Sequence, residues 1–147
     1  MTSQPDKLIL TFVRKHHVMT LATMSESGPW CANAFYAFDP ESTTFVITSD
    51  PVTRHGSEML ANSAIAASIV LETRVVGRVQ GLQIAGRAEQ LTEEHPLYET
   101  LRKAYLKRFP YAVVAPLKLW ALHADTLKYT DNTLGFGKKL IWTRDEQ

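Results

Sequence analysis

Five polar residues crowd one stretch of this chain: Thr48, Ser49, Thr53, Arg54 and His55 fall within eight positions, between an apolar run and a helical pattern. A helix entered there turns its first backbone N–H groups, and the positive end of its dipole, toward a single spot. Hydroxyls and N–H groups solvate phosphate oxygens, and a guanidinium binds two of them through parallel hydrogen bonds. The pattern points to a phosphorylated cofactor. Arg54 and His55 also fit as solvated residues on a first helical turn, and the local spacing by itself favours that alternative.

Rings suited to walling a flat ligand are Trp30, Phe35, Tyr36 and Trp142, each of which would serve as well in a core or a subunit interface. Gln83 offers donor and acceptor together, as the edge of a heterocycle requires, or is simply an outward residue of an alternating strand. The segment Asp131-Asn132-Thr133-Leu134-Gly135-Phe136-Gly137-Lys138-Lys139 reads either as a loop that approaches a ligand or neighbouring subunit, or as a solvated surface loop.

Several chemistries lack their residues. His16, His17, His55, His95 and His123 show no metal-binding spacing, and there is no nucleophile elbow, dinucleotide-binding glycine pattern or P-loop. Cys31 is the only cysteine, so an internal disulfide is impossible; as a nucleophile it would need His17 or His55 as base, and otherwise it is a small hydrophobe.

The elements that must position these residues follow from pattern. With 147 residues, 45% hydrophobic and 21% charged, the chain is expected to form one domain over 1–147. A net charge of +1 with both signs scattered argues against nucleic acid, and the lack of a long apolar run argues against a membrane span; a cytoplasmic location is expected. Ser3, Pro5 and Asp6 introduce a first helix ending near His16. Strands are expected over residues 18–24, 30–38 and 43–49, joined by turns at 25–29 and 39–42 into an antiparallel meander. A helix over 53–62 follows, capped by either Asp50 or Thr53. The continuous apolar run 64–71 predicts a central strand covered on both sides. A long strand over 77–91 is expected to bulge at Gly81 and Gly86. Glu93, Glu94 and Pro96 open a last helix stopped by Pro110, and 117–129 returns to strand. A small closed antiparallel barrel with flanking helices, mainly β within the α+β class, fits this order.

Taken together, Trp30-Cys31-Ala32-Asn33-Ala34-Phe35-Tyr36, Thr53-Arg54-His55 and the tail from Asp131 to Trp142 resemble the split-barrel flavin-binding superfamily of the pyridoxamine 5'-phosphate oxidases, and within it the YhbP-like family. The resemblance implies a six-stranded antiparallel Greek-key split β-barrel, a homodimer, and FMN held in grooves completed by both chains. It assigns the FMN phosphate to Thr48, Ser49, Thr53, Arg54 and His55, and the isoalloxazine ring to the backbone of Asn33, Ala34, Phe35 and Tyr36, with Gln83 and Trp142 as further contacts. It implies oxidoreductase chemistry on an unspecified substrate.

This chain departs from the oxidases in carrying Cys31 where they have Arg, and His55 where they often have Lys. The oxidases' cofactor-contacting Gln aligns nearer Gly81 than Gln83. Residues that hold pyridoxamine phosphate have no counterparts. A neutral His55 would offset less phosphate charge than Lys, making affinity weaker and more dependent on pH. Two other readings compete with a flavoprotein: a barrel that binds haem or another tetrapyrrole through His17, His55 or His123, and a scaffold or sensor dimer without cofactor.

Overall fold

The computed structural model describes residues 3–144. Helix α1 (Lys7–Lys15) starts where Asp6 accepts a hydrogen bond from the Leu8 N–H at 2.8 Å, and it buries Ile9, Phe12 and Val13. Strands β1 (Val18–Ser25) and β2 (Gly28–Phe35) form a hairpin on the two-residue loop Glu26-Ser27. The expected longer turn shrinks because Gly28 takes up the positive φ of 97° that a tight hairpin demands. Pro29 then lies within β2, an edge strand that tolerates its missing N–H.

The strand expected over 30–38 is two strands. Tyr36 interrupts it: its N–H bonds His17 O at 3.0 Å, its hydroxyl donates to Val13 O at 2.7 Å, and its ring is fully buried. Beyond it β3 (Ala37–Asp39) pairs with β4 (Thr44–Thr48) at the opposite end of the sheet. The order is β2-β1-β5-β6-β7-β4-β3. Consecutive strands separated by one residue can occupy opposite ends only if the sheet curls until its edges approach, so Tyr36 marks the seam of a split barrel.

Strand β5 (Ala64–Val70) is central, between β1 and β6, but is covered on one face only: Ile65, Ala67 and Ile69 point inward while Ala64, Ala66, Ser68 and Val70 are exposed. The apolar run therefore marks a second face that this chain alone leaves open. Strand β6 (Gln80–Gln90) starts later than expected, after a short 3-10 turn at Val76–Arg78, and bulges once, between Ala85 and Gly86, not at Gly81. A Cβ on Gly86 would stand 2.1 Å from His123 O, so the bulge depends on the missing side chain.

Helix α2 (Arg54–Ala61) is capped by Thr53, whose Oγ1 accepts from the Gly56 N–H at 3.1 Å, which decides between the two candidate caps. Helix α3 (Tyr98–Arg108) starts after Pro96 and covers a smaller core of Val46, Leu101, Tyr105, Leu119 and Ala121. Strand β7 (Leu119–Asp131) runs two residues past the expected end. It pairs with β8 (Lys139–Thr143), a strand the loop-like tail did not signal. Among the described residues the sheet thus has eight strands where six were expected, the extra two arising from the break at Tyr36 and from β8. Its interior is filled by Met19, Leu21, Phe45, Ile47, Leu82 and Trp120, all at most 1% exposed. Among the described residues no helix is long and apolar enough to cross a membrane.

Candidate functional site

The end of β4 and the start of α2 bring the polar cluster together. Trp120 on β7 donates its Nε1–H to Ser49 O at 2.9 Å, fixing where β4 ends. Asp50 then turns the chain, accepting from the Val52 N–H at 3.0 Å and from Lys118 Nζ at 3.0 Å. Those two bonds, the Val52 amide first, hold the Asp50 carboxyl below its ordinary range. The helix can begin this tightly because position 56 is glycine: a Cβ there would stand 2.3 Å from Asp50 O and 2.9 Å from Thr53 Oγ1.

Around that turn the hydroxyls and the imidazole interlock. Ser49 Oγ lies 2.8 Å from His55 Nε2, and Thr53 Oγ1 lies 3.5 Å from the same nitrogen while donating to Asp50 O at 2.7 Å. Burial pushes His55 below its ordinary value, against a smaller opposing effect of Glu58, so the ring is neutral at pH 7. Thr48 Oγ1 is 3.4 Å from the hydroxyl of Tyr105 on α3. Thr48, Ser49, Asp50, Pro116 and Lys118 surround a cavity of about 390 Å³.

Arg54 is held rather than loose. Its Nε donates to Glu58 Oε2 at 3.1 Å, one helical turn on, and its guanidinium carbon sits 4.3 Å from the centre of the Trp30 ring. Glu58, buried, also accepts from Ser25 and Thr23, each at 2.7 Å, and these hydrogen bonds lead the effects that depress its pKa. The Arg54 side chain remains 40% exposed, with the two terminal nitrogens of the fork beyond the edge that Glu58 engages. Hydroxyls, first-turn amides and a guanidinium are the donor set a phosphate monoester needs, so the residues present fit the group in kind. Two acids stand close by, Asp50 and Glu58, each matched to one cation.

The remaining predicted positions divide between two faces of the sheet. Strand register aligns Asn33 with Thr20, Thr20 with Ser68, Ser68 with Gln83 and Gln83 with Lys128, a polar row across β2, β1, β5, β6 and β7 on the uncovered face. Thr20 Oγ1 donates to Asn33 Oδ1 at 3.0 Å, and Ser68, Gln83, Thr126 and Lys128 edge a concavity of about 360 Å³. Asn33 and Gln83, remote in sequence, therefore share one surface. Phe35 is 57% exposed and meets the Phe109 ring edge-on at 5.4 Å. Ala34 packs against the inner core.

The rings of Tyr36 and Trp142 belong to the core instead, the latter donating its Nε1–H to Ser3 O at 2.8 Å, and neither presents a face to the polar clusters. Sequence reasoning missed Glu58, Lys118 and Tyr105 as site residues. Only Glu58 had a local signal, its i+4 spacing from Arg54. Among the histidines considered as haem ligands, His123 contacts Glu89 and Thr44, His55 contacts Ser49, and His17 is exposed with its ring 6.3 Å from that of Phe109. Cys31 is exposed on β2, opposite Ala22.

Comparison with known proteins agrees with this architecture. Residues 5–131 match the sequence pattern of the family described as pyridoxamine 5'-phosphate oxidase. The protein YhbP of Salmonella arizonae is 40% identical over 137 residues, covering 93% of this chain and 92% of that protein. A haem-binding protein from Mycobacterium smegmatis superposes with a TM-score of 0.74 at 21% identity, over 90% of this chain and 55% of that one. A FAD-binding protein from Mesorhizobium loti superposes with a TM-score of 0.66 at 17% identity, over 86% of this chain and 93% of that one.

Proposed function

The chain belongs to the pyridoxamine 5'-phosphate oxidase family, and from that premise we propose that it is a homodimeric FMN-binding flavoprotein with oxidoreductase chemistry. The observation that carries this reading is the junction of β4 and α2, where Ser49, Thr53 and His55 interlock at a capped helix start, with Thr48 and Arg54 beside them in sequence. There Arg54 and the first-turn amides hold the phosphate, and Ser49 keeps the His55 ring oriented toward it. The uncovered row from Asn33 to Gln83 supplies amide edges for a heterocycle, and its apolar neighbours Ala66 and Val70 leave a face for a second subunit. Bound flavin supplies reversible uptake of two electrons, while this chain's residues position it and exclude water.

Haem is the second reading, favoured by exposed His17, whose ring neighbours Phe109 and through it Phe35, and by the fold's likeness to a haem-binding protein. One experiment separates them: titrate the purified protein with FMN, following quenching of flavin fluorescence, and in parallel with haemin, following the Soret band. The flavin reading expects saturable quenching that Arg54→Ala weakens and His17→Ala leaves intact. A Soret shift abolished by His17→Ala, with no quenching of FMN, would replace it with the haem reading. Light scattering tests the dimer, and a monomer at saturating FMN would refute that part.

A further inference from the structure

A further cavity lies away from the β4–α2 junction, in the angle between α1, β3 and α3. It measures about 700 Å³, within the range of small-molecule pockets. Its floor is apolar, made by Val13, Ala37, Phe38 and Ala104. Around it stand Arg14 from the last turn of α1 and Lys103 and Lys107 from α3.

The charge pattern needs explaining. Lys103 and Lys107 are four residues apart on one helix face, where like charges repel, and Arg14 faces the same depression. None of the three makes an ion pair among the described residues. The helix C-terminus accounts for a cation at 107 but not at 103, a full turn earlier. Arg108, the fourth cation, is spent on structure: it donates to Tyr36 O, Arg14 O and His16 O, tying α3 to the barrel seam and to the end of α1. The one acid among the described residues that line the cavity, Asp39, accepts the Ser42 N–H and hydroxyl through a single oxygen.

We propose that this depression is a separate binding site for an organic anion with an apolar body, the acidic head between Arg14, Lys103 and Lys107 and the body on Val13, Phe38 and Ala104. Complementarity of both kinds selects that class. A neutral hydrophobe would leave three cations crowded, and a compact inorganic anion would leave the apolar floor wet. The site is also mechanically joined to the β4–α2 junction. Helix α3 shows Lys103, Ala104 and Lys107 to this cavity, while Tyr105 on its buried side reaches the Thr48 hydroxyl.

The test is calorimetric titration of the full-length protein with 8-anilinonaphthalene-1-sulfonate as the amphiphilic anion, and with neutral N-phenyl-1-naphthylamine and inorganic phosphate as controls. The sulfonate should bind once per chain, and neither control should match it. Lys103→Glu with Lys107→Glu should weaken the sulfonate at least about tenfold. Lys103→Arg with Lys107→Arg should retain it, and Ala104→Trp, which fills the floor and leaves every charge, should also abolish it. Amide chemical shifts on binding should map to α1, β3 and α3. Equal binding of the neutral compound, unchanged affinity in the glutamate variant, or shifts confined to the β4–α2 junction would each overturn the proposal. The same titration repeated with FMN present keeps the two sites distinct, since FMN should not compete.

Discussion

Gly56→Ala puts the geometry of the β4–α2 junction to its most direct test. In an unconstrained helix this change would stabilise by about 1 kcal/mol, because alanine loses less backbone entropy than glycine. Here the new methyl would stand 2.3 Å from Asp50 O, 2.9 Å from Thr53 Oγ1 and 3.0 Å from Pro51 Cα. Two of those atoms are backbone and cannot swing aside, so the 50–53 turn must shift away from the helix. Overpacking of this kind costs about 1 to 3 kcal/mol. Loss of the Thr53 cap, whose hydroxyl sits in the path of the methyl, costs about 1 kcal/mol more. Set against the propensity gain, the net is a destabilisation of about 1 to 3 kcal/mol, or roughly 2 to 12 °C in Tm for a domain of this size.

Gly77→Ala is the internal control, since nothing lies within 4 Å of a Cβ there and its φ is not positive. It should leave stability unchanged or raise it by up to about 1 kcal/mol. Urea unfolding of the two variants beside the parent supplies the numbers, and FMN titration of folded Gly56→Ala should show weakened binding as the first-turn amides move. Stability equal to or above the parent with undiminished FMN affinity would refute the account of how this turn is built.

Other expectations concern charge and the sheet. Arg54→Ala should weaken FMN by about 1.5 to 3 kcal/mol, read by fluorescence quenching, if the guanidinium makes a charge-assisted bond to the phosphate. His55→Lys, which places a permanent cation where the ring is neutral at pH 7, should tighten FMN about fivefold at pH 7.5, and a weaker complex would count against a phosphate at that position. His16 lies below its ordinary pKa chiefly through burial, then through Lys15, His17 and Arg108, and its Nε2 is buried without a partner. The unfolded chain therefore takes up a proton near pH 6.5 that the folded protein resists, so stability is complete above that value and declines as pH falls below it. His16→Phe should flatten this decline in urea titrations between pH 7 and pH 5. Gly86→Ala should cost about 3 kcal/mol, because the His123 carbonyl 2.1 Å from the new methyl lies in the ladder itself.

Much of the architecture was legible because its signals are local. Asp6, the alternatives Asp50 and Thr53, and the cluster 25–29 announce helix starts and a hairpin through side chains that act within three residues of themselves, although only the structure chose Thr53 as the cap. Apolar, β-branched and aromatic content along 18–24 and 43–49 marked strands whose buried residues do form the core. The break at Tyr36 was invisible, since apolar alternation continues straight through it; what divides the run is a change of partner, Tyr36 still bonding back to His17 O beside β1 while Ala37 pairs with Val46 of β4. Strand β8 was hidden by the glycine-rich loop before it and is defined by its pairing with β7. The apolar run of β5 predicted cover on both faces, but one chain covers only one.

What the sequence determined by itself was the chemistry at the β4–α2 junction, since hydroxyls, an arginine and a capped helix start within eight residues need no distant partner to lie together. Only the tertiary structure decided which of these groups are engaged and by what. Glu58 grips Arg54 because Thr23 and Ser25 arrive from β1, and Tyr105 meets Thr48, 57 positions away in sequence, because α3 folds back onto the end of β4. Asn33 and Gln83 share a surface through the register of three hydrogen-bonded strand pairs. Such contacts follow from the global curl of the sheet, where a one-residue slip would turn every side chain to the opposite face, and no short window of sequence encodes it.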